Sequence, residues 1–95
     1  MIDVELVRQC LNNLGSSPND IAKSLYESSI RGYRNSCGHC PIANYIKIIV
    51  PNAKVCVGGT TINIDEQRID MHYNQIERFI KLFDQGSYQE LAITK

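Results

Sequence analysis

Pro41 and Pro51 bracket the most apolar stretch of the chain, Ile42-Ala43-Asn44-Tyr45-Ile46-Lys47-Ile48-Ile49-Val50. Proline fits the first turn of a helix, where a missing N–H costs nothing, but it cannot continue one. The bracket therefore predicts a helix that Pro41 opens and Pro51 closes. Because its residues are apolar nearly all round, this helix is expected to form the centre of the core. No apolar run is longer than the three residues of Ile48-Ile49-Val50, far short of the roughly 20 residues that cross a bilayer.

The flanking segments fall into place around it. Val4, Val7, Leu11 and Leu14 recur at helical spacing with Gly15 after them, predicting a helix over 3–14. Ser17-Pro18-Asn19-Asp20 supplies an N-cap, a proline at the first helical position and an acid in the first turn. A second helix should follow, with Ile21, Leu25 and Ser28 or Ser29 inward, ending near Gly32. The short link makes these two helices an antiparallel hairpin.

Beyond Pro51, Gly58-Gly59 separates two strand-like runs, 53–57 and 60–64. A two-residue turn there would pair Val57 with Thr60, Val55 with Ile62 and Ala53 with Ile64. That register leaves Lys54, Cys56, Thr61 and Asn63 on the outer face. Asp65-Glu66 offers a second turn into a third short strand at 67–71, with Ile69 and Met71 inward. Ile76, Phe79, Ile80 and Phe83 mark a C-terminal amphipathic helix over 73–84, closed by Gly86. Ser87-Tyr88-Gln89-Glu90 has the form of a capping box ahead of Leu91. These segregated elements predict one α+β domain over 1–95: a helical hairpin, a central helix, a β-hairpin extendable to three antiparallel strands, and a last helix.

The amino terminus has no basic region ahead of an apolar one, so a cytoplasmic location is expected. In that setting Cys10, Cys37, Cys40 and Cys56 are expected as thiols rather than disulfides. Cys10 on a helical stripe and Cys56 between two valines read as small buried residues. Ten basic and ten acidic residues balance, which argues against general nucleic-acid or membrane binding. The balance is uneven along the chain. No acidic residue lies between Glu27 and Asp65, a stretch holding Arg31, Arg34, Lys47 and Lys54.

Cys37-Gly38-His39-Cys40 runs directly into Pro41, so its thiols lie at a helix entrance, where dipole and free N–H groups favour thiolate. The tetrapeptide resembles the active-site motif of the protein disulfide isomerases of the thioredoxin-like family. That resemblance implies Cys37 as nucleophile and Cys40 as resolving thiol. The rest of the chain departs from the family's pattern: no apolar strand feeds the motif, there is no tryptophan, and no proline follows Pro51. A zinc site is a second option, since Cys37 and Cys40 supply half a tetrahedral set, to be completed by His72 in preference to His39 or Cys56. A third is that Cys40 simply packs inward, leaving Arg31, Arg34, His39 and Cys40 to hold an anion at the helix N-terminus.

Cys40-Pro41-Ile42-Ala43-Asn44-Tyr45, together with the run from Phe79 to Leu91, is similar to short uncharacterised proteins of bacteria and their phages. This resemblance implies a small accessory protein that acts by binding. The sequence thus favours a non-enzymatic binding module without cofactor, using the basic surface around Arg31 and Arg34 on an acidic protein or a small anion. As free surface groups, both arginines should be removable without loss of stability. The rivals are a thiol-disulfide or redox-sensing protein using Cys37 and Cys40, and a zinc-stabilised interaction domain.

Overall fold

A computed structural model describes residues 4–58, 61–70 and 75–93. Its order is α1 (Val4–Asn12), α2 (Pro18–Glu27), α3 (Pro41–Ile49), β1 (Val55–Val57), β2 (Thr61–Ile64), β3 (Gln67–Asp70) and α4 (Gln75–Asp84), then a 3₁₀ turn at Gln89–Leu91. The strands form an antiparallel sheet in the order β1-β2-β3. The chain is therefore α+β, as its segregated pattern predicts. Among the described residues no helix is long and apolar enough to cross a membrane.

Capping chemistry sets the helix limits. Ser17 Oγ accepts from the Asp20 amide at 3.2 Å, with Pro18 at the first position of α2. At the far end the Ser29 amide donates to Tyr26 O and the Ile30 amide to Leu25 O, a Schellman closure with Ser29 left-handed at φ 62°. α2 thus stops at Glu27 rather than near Gly32, and Ser28 and Ser29 are exposed instead of inward. α4 ends in the same way. Gly86 takes φ 117°, its amide donates to Phe83 O and that of Ser87 to Leu82 O.

The hairpin register is Val55 with Ile64, Cys56 with Asn63 and Val57 with Ile62. This is shifted by two residues from the pairing expected of a Gly58-Gly59 turn, because Gly58 is itself paired, its amide donating to Thr61 O at 2.8 Å. A slip of two preserves the side-chain alternation, so Val55, Val57, Ile62 and Ile64 still face the core. β3 pairs through Ile64 with Gln67 and Ile62 with Ile69, and Ile69 is buried. Met71 lies outside the described residues.

α2 packs on α4, α3 on β1, and α1 against β3. Leu11, Ile21, Leu25, Ile42, Ile46, Ile62, Ile64, Ile69, Ile76, Phe79, Phe83 and Leu91 are the largest fully buried side chains. α3 is buried through Pro41, Ile42, Ala43 and Ile46 but turns Ile48 to solvent, 65% exposed. An apolar sequence did not become burial all round, because nothing among the described residues covers α3 at Ile48. The capping box expected at 87–90 does not form. Tyr88 stands at the N-cap in the left-handed region, with no side-chain cap bond. Its ring stacks on Phe79 at 5.3 Å between centroids and its hydroxyl bonds Asn19 Oδ1 at 2.7 Å, so tertiary packing decides this turn.

Candidate functional site

Residues 33–40 reach the start of α3 as an irregular loop that is nonetheless tightly tied. The Tyr33 amide donates to His39 O at 2.8 Å and the Cys40 amide to Ser36 O at 3.1 Å, closing the loop on itself. From α3, Asn44 Nδ2 donates to Arg31 O at 2.7 Å and to His39 O at 3.2 Å, while Lys47 Nζ donates to Gly38 O. From β1, the Val57 amide donates to Cys37 O at 2.7 Å, so the loop covers the free edge of the sheet. Gly32 makes this crossing possible. A Cβ there would lie 2.4 Å from Pro41 N and 2.5 Å from the Cys40 carbonyl carbon.

Within this frame the cysteines differ. Cys37 is exposed, Cys40 buried, and Cys10 and Cys56 intermediate. Cys10 and Cys56 are therefore less enclosed than small core residues would be. Cys40 is the N-cap of α3, its Sγ accepting from the Ala43 amide at 3.4 Å. Burial pushes its thiol above the ordinary value of 9.0, outweighing the backbone bonds from Ala43 and Ile42 that favour thiolate, and Asp84 and Cys37 add the smallest, upward contributions. The helix entrance does not leave Cys40 ionised, since desolvation of an enclosed sulfur exceeds the gain from two amides. Asp84 also corrects the view of an acid-free neighbourhood: its Oδ1 accepts from the Asn35 amide at 3.0 Å.

Cys56 belongs to the same group. It sits on the outer face of β1 between the inward-facing Val55 and Val57, and its thiol is also raised, first by a side-chain hydrogen bond with Cys37. Cys37, Cys40, Ser36, Asn35, Ile80 and Asp84 line a cleft of about 250 Å³. Cys37 thus has a thiol on either side of it, one toward the core and one on the outer sheet face.

The two arginines are engaged elsewhere. Arg34 Nε donates to Phe83 O at 2.8 Å, and its NH2 group donates to Gly86 O at 3.0 Å and Ser87 O at 3.1 Å. It closes the carbonyl end of α4, where a cation is favoured, and lies 5.2 Å above the Phe83 ring. Arg31 donates to Ile30 O at 3.1 Å and lies 4.4 Å over the Tyr26 ring, beside the end of α2. The structure therefore separates Arg31 and Arg34 onto two helix C-termini. His39 is exposed and meets Tyr33 edge to face at 6.5 Å. His72, the expected third metal ligand, lies outside the described residues. Among those described, no three of His, Cys, Asp and Glu are grouped so that they could hold a metal ion.

Asn44 and Asp84 are contributors that sequence reasoning missed, while Lys47 was read only as part of the basic stretch and Cys56 only as a small buried residue or a lesser metal ligand. Asn44 and Lys47 are polar residues at i and i+3 on an otherwise apolar helix, a signal that marks one face as turned to a polar partner. The sequence did not single out Cys56 as the neighbour of Cys37, because that closeness depends on the loop crossing beside β1. No protein-family model matches the chain, and neither any curated protein nor any solved structure matches it significantly.

Proposed function

We propose that the protein works by reversible thiol-disulfide chemistry at Cys37. The carrying observation is an exposed thiol on a loop tied to both α3 and β1, with two further thiols beside it. A fixed, accessible sulfur with neighbouring thiols meets the two needs of such chemistry, approach by a partner and an internal group to displace it. The basic-surface reading has less support. Arg31 and Arg34 would have to offer their guanidinium groups to an acidic protein or anion, and both are occupied with backbone carbonyls.

The test is a time course of iodoacetamide labelling on the native protein, with each cysteine mapped by mass spectrometry before and after glutathione disulfide treatment. Cys37 is expected to label fastest, to lose its reactivity on oxidation and to regain it with dithiothreitol. Labelling of Cys37 no faster than that of Cys40, or unchanged by the oxidant, refutes the proposal.

A further inference from the structure

The sequence motif directs attention to Cys37 with Cys40, but the fold offers Cys37 a different partner. Given that Cys37 is the reactive thiol, as proposed above, we infer that Cys56 is the sulfur with which it closes a disulfide, so that oxidation staples the loop 33–40 to β1.

Backbone placement comes first. The Val57 amide bonds Cys37 O at 2.7 Å, and the following Gly38 passes so close to β1 that a Cβ on it would lie 3.5 Å from Val55 O. The loop therefore runs along the free edge of β1 with Cys37 and Gly38 beside 55–57. Hydrogen-bonded neighbouring segments lie about 4.8 Å apart, within the roughly 4.4–6.8 Å between Cα atoms that a disulfide spans.

Side-chain placement agrees. The Cys37 side chain lies close enough to the Cys56 thiol to be the largest influence on it. Cys56 is half-buried on the outer sheet face, opposite the exposed Asn63, so drawing its sulfur toward Cys37 empties no core position. Cys40 is placed otherwise. The residue is 5% exposed within the core cluster, and its sulfur caps α3 through the Ala43 amide. Turning it toward Cys37 would uncap the helix and open a void beneath the loop, each of which disfavours the bond.

With a hydroperoxide as oxidant the chemistry balances. The Cys37 thiolate attacks one peroxide oxygen, the O–O bond breaks, and Cys37 becomes a sulfenic acid while the leaving oxygen takes up a proton. The Cys56 sulfur then attacks the Cys37 sulfur, the S–O bond breaks, and hydroxide leaves with the Cys56 proton as water. Two thiols have lost two electrons and two protons, and hydrogen peroxide has become two waters. A dithiol reductant reverses the bond.

The experiment oxidises the whole chain and the variants Cys56→Ser and Cys40→Ser with hydrogen peroxide, blocks remaining thiols with iodoacetamide, and maps cross-linked peptides without reduction. The expected product in the unsubstituted chain and in Cys40→Ser joins Cys37 to Cys56 within one molecule, and it is lost in Cys56→Ser. A Cys37-Cys40 bond, or a disulfide between two molecules through Cys37, overturns the inference while leaving Cys37 as the reactive thiol. Cys37 recovered fully as alkylated thiol, with no oxidised form, defeats both proposals. Should Cys40→Ser fail to fold, the peptide map of the unsubstituted chain still decides between Cys40 and Cys56.

Discussion

Between α2 and α4 the contact is apolar. Ile21, Leu25, Phe79 and Phe83 are all buried, and the two phenylalanine rings stack at 6.1 Å between centroids. Across the molecule, the loop 33–40 buries only Cys40, and its shape comes from backbone and side-chain hydrogen bonds reaching it from α3, β1 and the end of α4. Apolar burial is non-directional and supplies most of the stabilising free energy. Hydrogen bonds add less net stability but specify geometry. The helix pair therefore holds the fold, and the loop holds a thiol at a defined place. Each can be perturbed with limited effect on the other.

Phe79→Ala should have the largest effect. It removes a fully buried ring that contacts Phe83 and Tyr88, and should lower stability by about 4 kcal/mol. Urea unfolding followed by circular dichroism measures it. Wherever the variant remains folded, Cys37 should keep its lead over Cys40 in alkylation. A loss of that order would show that the loop depends on the apolar pair.

Arg34→Ala tests a side chain that joins the two regions. It deletes three bonds to the carbonyl end of α4 and the cation above Phe83, and should cost about 2 kcal/mol. An unchanged unfolding midpoint would return Arg34 to the solvent-exposed role that its sequence context suggests.

The smallest effect belongs to Cys40→Ala, about 1 kcal/mol at neutral pH for loss of a cap. Its pH signature is more telling. The Cys40 thiol is raised in the folded chain, so above its ordinary value of 9.0 the unfolded chain ionises first. Stability is thus complete below pH 9 and falls as pH rises through the folded value. Cys40→Ala should flatten the decline measured by thermal unfolding between pH 8 and 10, leaving the part due to Cys56, which is raised as well. An equally steep decline in the variant would mean that Cys40 is not the desolvated thiol.

Local rules written in the sequence determined most of the elements. Ser17-Pro18 opened α2, Pro41 opened α3, Gly86 closed α4, and the alternation of Val55, Val57, Ile62 and Ile64 chose the buried sheet face even though the turn slipped. These signals act over a few residues, so they can be read without knowing the fold. The site was legible only in part. Cys37-Gly38-His39-Cys40 announced itself, but burial decided which thiol would be accessible. Chain crossing decided that Cys56 and Asp84 would stand beside it, and that Arg31 and Arg34 would be drawn to separate helix ends. Desolvation and long-range hydrogen bonds depend on what the remainder of the chain places nearby, so tertiary structure alone settled the surroundings of Cys37.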